Sequence, residues 1–320
     1  MKNNRISHGL LVMFMVGIMV FTAGCAVLTS SQVAEVKKFA KASEDYSGLP
    51  GELAQSYGIL LRNHKLLSLS RYQYGTKDEK GGIKTEASID AWDKIQEAYD
   101  LEIQFSEEGK RMDKALEILK NYSKLLTLLV SDEYTEALGK SAEKLGNSLD
   151  KAVDAYNKEY RPDNPMKSMG TEVAKLVRAV GGIYIRHRQY EILKETVSKS
   201  DALIESLMDE VETIALQKMK PAFENYEKNY LSTEFKSVVN YSGHIEYPTS
   251  LAIYENLKKT RSSAELAVKI GKAAKSYKAA HSQLAKNIQV RMDLKQAIEE
   301  IDALKNEVEA ANKIKKKAEK

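Results

Sequence analysis

Histidine supports metal binding and acid–base chemistry, and this chain of 320 residues contains five. Four of them follow residue 25: His64, His187, His244 and His281. A di-iron site in a helical bundle needs a glutamate three residues before a histidine, so that both ligands face the core. The residues at those positions are not acidic: Leu61, Tyr184, Tyr241 and Lys278. No two of these histidines are four residues apart, as the helical zinc motif requires. We therefore predict no metal site and no cofactor.

Nucleophilic catalysis and phosphate binding also lack their sequence motifs. The chain contains neither the phosphate loop G-x-x-x-x-G-K nor the nucleophile elbow G-x-S-x-G. The sequence therefore predicts a protein that is not an enzyme. A cell-wall enzyme, the least favoured alternative, would need acidic residues clustered in a cleft with shifted pKa values.

The segment "IYIRHRQY", residues 183 to 190, is the first candidate binding element. Arg186 and Arg188 could contact an anion, because guanidinium groups bind carboxylates and phosphates. Consecutive helical residues point about 100° apart, so Arg186, His187 and Arg188 cannot all face one ligand. A solvated helix face is the alternative interpretation of the same residues.

The second candidate is the segment 232 to 247, "STEFKSVVNYSGHIEY", which has the weakest helical pattern in the chain. Phe235, Tyr241, His244 and Tyr247 are candidate contacts for a protein partner, because aromatic residues on loops are typical of interfaces. The same side chains could instead pack over the end of the helices. We expect an irregular loop or a short hairpin here.

The N-terminus has the three zones of a secretory signal. Lys2 and Arg5 precede the apolar run 9–22, and the small residues Ala23 and Gly24 lead to Cys25. The apolar run is shorter than the roughly 20 residues that cross a bilayer. We therefore predict a cleaved signal peptide over residues 1–24.

Cys25 is the only cysteine in the chain. The sequence "TAGC" that it ends resembles the lipobox of bacterial prolipoproteins. The resemblance implies acyl chains on Cys25 that hold the protein in the bacterial cell envelope. Ala26, which follows, resembles the pattern sorted to the outer membrane, with the protein facing the periplasm. An unpaired thiol near an ordinary signal peptide is the alternative, although an exported free cysteine is a liability.

Charge argues against nucleic acid as a partner. Removal of residues 1–24 takes away Lys2 and Arg5 and no acidic residue, which lowers the net charge from +4 to +2. Nucleic-acid binders carry a strongly basic face, whereas charges of both signs are interspersed here.

The elements that must position these residues are helices. Apolar residues recur every three or four positions, and only five prolines interrupt the pattern. The class is all-α, and we expect an elongated bundle of long antiparallel helices. The expected helices are a short one ending near 46, then 52–72, 86–107, a further helix to 130, and one ending at Tyr160. Asn164 should cap the next helix with Pro165 in its first position, and Pro221 should kink or end the helix after it.

The C-terminal part, residues 248–320, shows a short heptad repeat. Leu294, Ile301 and Val308 are seven residues apart, which is typical of a coiled coil. The pattern predicts either one long helix or a coiled-coil-like hairpin that turns near residues 271–280. We divide the mature chain into a lipid-anchored segment with a short helix (25–50), a bundle (51–247) and C-terminal helices packed on it (248–320).

These observations favour a membrane-tethered, non-enzymatic helical lipoprotein that acts as an envelope structural or interaction protein. Its expected partners are the membrane, through the lipid on Cys25, and an envelope protein or a second copy of the chain. The alternative function is a helical bundle that binds a small molecule or lipid between helices, near Gly181, Gly182 and Pro221.

Overall fold

The protein is all-α, as the apolar periodicity predicts. The computed structural model describes residues 28–49, 51–69, 85–131, 136–178, 185–233, 235, 236, 239, 245–290 and 295–318. Within these ranges every regular element is a helix. The predicted bundle class is therefore confirmed.

The helices follow one another with few long interruptions. The first half of the chain contributes α1 (Ser30–Tyr46), α2 (Gly51–Leu69), α3 (Thr85–Leu129) and α4 (Glu136–Tyr160). The second half contributes α5 (Gly170–Arg178), α6 (Ile185–Thr213), α7 (Lys220–Asn225), α8 (Tyr247–Val290) and α9 (Lys295–Ala318). Two π-helical segments flank α7: π1 (Ile214–Met219) and π2 (Tyr226–Leu231).

The longest antiparallel pairing joins α8 to the run from α6 through π2. The Asp201 carboxylate contacts His281, Leu216 packs at Gly271, and Glu227 bonds Arg261, so one helix ascends as the other descends. Fully buried apolar side chains fill the space between this pair, α1 and α3. They include Phe39, Leu116, Leu119, Leu207, Ile270 and Leu284.

The predicted break after the helix 86–107 is wrong, because α3 is one continuous helix. Gly109, close to the predicted break, is buried inside it. A Cβ at Gly109 would lie 2.8 Å from the carbonyl oxygen of Gly51. The glycine therefore allows α2 and α3 to cross closely, and packing outweighs its low helix propensity.

Asn164 does not cap the following helix, which begins at Gly170 instead of Pro165. The Asn157 side chain holds residue 166 in the linker, accepting from the Met166 N–H and donating to its carbonyl, both at 2.7 Å. Asp150 of α4 caps α5 from another helix. Its carboxylate accepts from the backbone N–H groups of Gly170 and Thr171. This carboxylate satisfies the N–H groups that a helix leaves unpaired at its start.

The C-terminal part contains two paired helices, since Lys269 of α8 donates to Glu307 of α9 at 3.1 Å, but the chain does not turn near residues 271–280, which lie inside α8. Gly271 sits inside α8, where an added Cβ would overlap the side chain of Leu216 in π1. The glycine therefore admits a neighbouring helix and does not turn the chain.

Pro221 changes the type of helix without ending it. It lies in the first turn of α7, directly after π1. Proline lacks the N–H that an α-helix needs, and a π-helical turn shifts the hydrogen-bond register before it. The backbone at the junctions Thr213, Lys220, Asn225 and Ser232 stays right-handed helical. The predicted loop after residue 231 also starts later, because Ser232, Thr233, Phe235, Lys236 and Val239 are helical.

Candidate functional sites

The structure describes only some of the residues predicted to bind partners. Phe235 and Tyr247 are exposed side chains near one end of the bundle, and they are 47% and 75% accessible. Arg186 and Arg188 lie in the first turn of α6, although their side chains are outside the described part. Cys25, Tyr241, His244 and the glycine pair 181–182 are outside the described residues altogether.

Phe235 and Tyr247 belong to a larger apolar surface. Leu251 and Tyr254 lie one and two turns after Tyr247 on α8, and Tyr254 is 60% exposed. We call Phe235, Tyr247, Leu251 and Tyr254 the distal surface. A groove of about 700 Å³ runs beside it between π2 and the first turns of α8, and Leu231, Ile253 and Leu257 line its apolar part.

An ion pair borders this groove. Nη2 of Arg261 on α8 donates to the carboxylate of Glu227 in π2 at 2.7 Å, and Nε of the same guanidinium donates to it at 3.1 Å. This contact links π2 to α8 at the edge of the groove. The groove therefore has one polar side and one apolar side.

Exposed apolar residues are concentrated at the same end of the molecule. The end of α2 and the start of α8 meet there, since Asn63 donates to Asn256 at 2.9 Å. The first half of α3 also lies there, because Arg62 pairs with Glu102 at 2.7 Å. Every large apolar side chain that the structure describes as exposed belongs to these elements or to the end of π2 and the residues just after it: Leu66, Trp92, Ile95, Tyr99, Ile103, Tyr230, Phe235, Val239, Tyr247, Leu251 and Tyr254.

A buried polar network crosses the core at the opposite half of the bundle. The ring of His281 on α8 lies 2.7 Å from the Tyr122 hydroxyl through Nε2 and 2.9 Å from the Asp201 carboxylate through Nδ1. The Ser200 hydroxyl donates to the Tyr122 oxygen at 2.9 Å and lies 3.1 Å from the same Nε2. A carboxylate only accepts, so Nδ1 carries the proton and Nε2 accepts from Tyr122.

In this network the histidine lies between a serine and an aspartate, as in a hydrolase triad, but the arrangement does not form a reactive site. His281 and Ser200 have no accessible surface. Tyr122 lies beside Ser200 and supplies the proton that Nε2 accepts, so the imidazole is not available as a base for the serine. A substrate cannot reach Ser200 in this packing. The arrangement joins α3, α6 and α8 in one register.

Burial and hydrogen bonds shift two pKa values within the network. Burial raises the pKa of Tyr122 well above its usual value, so the hydroxyl keeps its proton. The hydrogen bond from His281 lowers the pKa of Asp201, which keeps that carboxyl group ionised. Both shifts preserve the donor and acceptor roles on which the network depends.

A cavity of about 730 Å³ lies between α3 and the junction of α6 with π1. We call it the π1 cavity. Phe105 and Met112 of α3 face Val211, Ile214 and Met219 across it. The end of α4 closes one side with Tyr156, Tyr160 and Arg161. The cavity lies next to Pro221, where the sequence predicted a kink and a site between helices.

In comparisons with known proteins, no family model, curated protein or solved structure matches the chain. Among the described residues, no group of three or more histidine, cysteine, aspartate or glutamate side chains could hold a metal ion. In the same part of the chain, no helix has both the length and the apolar character needed to cross a membrane.

Sequence reasoning missed both the network and the π1 cavity lining. His281 was considered only for metal spacing, and its partners are about 80 and 160 residues away. A usable signal exists, because Tyr277, His281, Leu284 and Ile288 form one buried stripe of α8. A histidine in such a stripe requires buried hydrogen-bond partners.

Proposed function

We propose that this protein is a membrane-tethered, non-enzymatic helical lipoprotein of the bacterial cell envelope that binds another envelope protein through its distal surface. The tether is the acylated Cys25, and the outer membrane, facing the periplasm, is the proposed location. The observation that carries this proposal is the segregation of exposed apolar side chains to one end of the bundle.

The direction of α1 supports a tether at the other end of the bundle. Phe39 of α1 packs on His281, and Tyr46, two turns later, donates to the Ile270 carbonyl of α8 at 3.1 Å. Because α1 runs antiparallel to α8, its start lies beside the C-terminal end of α8. Thr29 and Gln32 fix that start with a reciprocal capping box. At about 1.5 Å per residue, the 44 residues of α8 separate its two ends by roughly 65 Å.

This geometry favours a protein partner over a second copy. A chain held by lipid at the start of α1 presents the distal surface away from that membrane. Two copies anchored in the same membrane point the same way, so their distal ends cannot meet end to end. Exposed tyrosine, phenylalanine and leucine beside an apolar groove have the composition of protein interfaces.

Two experiments test the proposal in cells that produce the protein. Labelled palmitate should be incorporated into the wild type and not into Cys25→Ser; equal labelling of the two would contradict the tether. Affinity purification after crosslinking should recover an envelope protein with the wild type and lose it with Phe235→Ser/Tyr254→Ser. The matched control Lys275→Ser/Lys286→Ser changes exposed residues elsewhere on α8 and should retain it.

The π1 cavity favours a second candidate function, the binding of a small molecule between helices. Its volume of about 730 Å³ is within the range of roughly 300 to 1,000 Å³ that is common for ligand sites. Addition of a cavity ligand should raise the melting temperature of the wild type. Gln104→Trp, which places a large side chain at the lining, should reduce that rise.

A further inference from the structure

We propose that the π1 cavity binds a small zwitterion with an apolar body, of the class of aromatic amino acids and their dipeptides. This inference rests on the second candidate function, that the cavity is a ligand site. It adds the charges and the shape of the ligand.

The cavity lies where α4 ends. α4 ends at Tyr160, and a turn at residues 162–164 leads the chain to α5, which begins at Gly170. Beyond that point no α4 side chain fills the space between α3 and α6. The last residues of α4 therefore form a wall of the cavity, and π1 forms another.

Two half-buried side chains of opposite charge lie in this space without pairing. Nη1 of Arg161 donates to the Ser206 hydroxyl at 2.7 Å, which holds the guanidinium against α6. Glu210 follows Ser206 by four residues, so it lies one helical turn away on the same face. Both line the cavity, and neither has an ion-pair partner among the described residues.

A zwitterion satisfies both groups together. A carboxylate can accept from Arg161, and an ammonium group about one helical turn away can donate to Glu210. A simple anion bound to Arg161 would leave the Glu210 carboxylate without a positive partner. A simple cation bound to Glu210 would leave the Arg161 guanidinium without a negative one. Unpaired charge next to an apolar wall is costly, so the arrangement favours a ligand with both charges.

The remaining lining provides a site for an apolar body. Phe105, Met112 and Tyr156 form the inner wall, and Met112 and Tyr156 are buried. Tyr156 and Tyr160 have ring centroids 5.1 Å apart and ring planes tilted by 54°, so each ring offers an aromatic face next to the other. Aromatic rings and thioether groups pack well on such a face.

The other charged side chains of the lining leave this pattern intact. Asp209 is engaged by Lys278 of α8, outside the lining. Lys218 is exposed at the π1 side, where its ammonium group is in contact with solvent. Arg161 and Glu210 are therefore the two half-buried charges of the lining, whereas Lys218 lies at its solvent-facing edge.

Calorimetric titration of the purified protein with three probes tests the inference. The probes are L-phenylalanine, 3-phenylpropionate without the ammonium group, and phenethylamine without the carboxylate. We expect L-phenylalanine to bind about 10-fold or more tightly than either analogue, because each analogue lacks one of the two charged groups and the hydrogen bonds that it makes. Arg161→Gln should abolish the preference over phenethylamine, and Glu210→Gln the preference over 3-phenylpropionate. Arg261→Gln, at the distal groove, is the matched control and should bind like the wild type.

Each outcome has a definite meaning. Equal binding of L-phenylalanine and 3-phenylpropionate, or full binding by Arg161→Gln, overturns the zwitterion while the cavity remains a ligand site. Absence of binding by all three probes overturns the ligand-site function as well. Circular dichroism of each variant confirms that it folds.

Discussion

At the scale of single residues, His281 shows how a polar group determines the arrangement of an apolar core. Its two nitrogens connect Tyr122 on α3 and Asp201 on α6 through bonds of 2.7 and 2.9 Å. An apolar side chain would fill the same volume but would tolerate several registers of these helices. The network requires one register, because any shift leaves buried polar groups unpaired.

Replacement of this histidine tests its structural role. His281→Ala should lower the free energy of unfolding by about 2–4 kcal/mol, because it creates a cavity and leaves the Tyr122 and Ser200 hydroxyls with fewer partners. Urea denaturation followed by circular dichroism measures the change. Lys275→Ala, an exposed position on the same helix, should change stability by no more than about 0.5 kcal/mol. Equal effects of the two variants would show that the network does not stabilise the fold.

The Asp201–His281 contact also predicts a pH dependence. His281 lowers the pKa of Asp201 below its usual value of 3.8, so the folded state favours the carboxylate. This contribution to stability is present above about pH 4 and is lost as pH falls through the folded pKa. The wild type should therefore exceed Asp201→Asn in unfolding free energy at neutral pH, and the difference should shrink near pH 3. Asp163→Asn, an exposed control in the linker, should show no such change; a difference that persists at low pH would contradict the account.

At the scale of elements, glycines mark where helices touch. A helix break is predicted after residue 107 and a turn near Gly271, yet Gly109 and Gly271 both lie inside continuous helices. Local patterns report backbone flexibility but not the neighbour across the contact. Gly109 meets the backbone of Gly51, and Gly271 meets Leu216, which is 55 residues away. Only the tertiary structure shows those partners. The sequence therefore predicts that helices form in these regions, but it does not predict where α3 and α8 begin and end.

The crossing of α4 with α5 gives the sharpest test of this interpretation. An added Cβ at Gly170 would overlap the carbonyl oxygen of Gly146 and the Asp150 carboxylate. Gly170→Ala should therefore cost about 1–3 kcal/mol of unfolding free energy, as overpacking does. Gly48→Ala is the control, because a Cβ there meets nothing within 4 Å. Thermal denaturation of both variants measures the difference, and similar melting temperatures would rule out a close crossing.

Only one of the two π-helical segments lies next to a proline. Pro221 predicts a kink or an end of its helix; the helix continues through it instead, with π1 directly before it. π2 contains no proline, and no local sequence signal predicts it. The π1 cavity depends on where α4 ends relative to α3. The sequence alone could not predict it, because it depends on how the two helices pack.

At the scale of the whole molecule, amphipathic periodicity was enough to predict an all-α bundle. The sequence could not predict that the start of α1 and the distal surface lie at opposite ends of the bundle, because this depends on which helices run antiparallel. Phe235 and Tyr247 could be selected from the sequence as exposed aromatics. Leu251 and Tyr254 could not, since their helical spacing is equally typical of a core stripe.

The central claim is that the distal surface contacts another envelope protein while the lipid on Cys25 anchors the N-terminal end in the membrane. The most direct measurement is photo-crosslinking in cells, with a photoreactive amino acid placed at Tyr254 or, as control, at Lys286. Both positions are exposed on α8, and about 32 residues of helix, or roughly 48 Å, separate them. The account predicts a discrete adduct with one envelope protein from position 254 and none from position 286. Equal adducts from both positions, adducts only between copies of this chain, or no adduct from position 254 would contradict it.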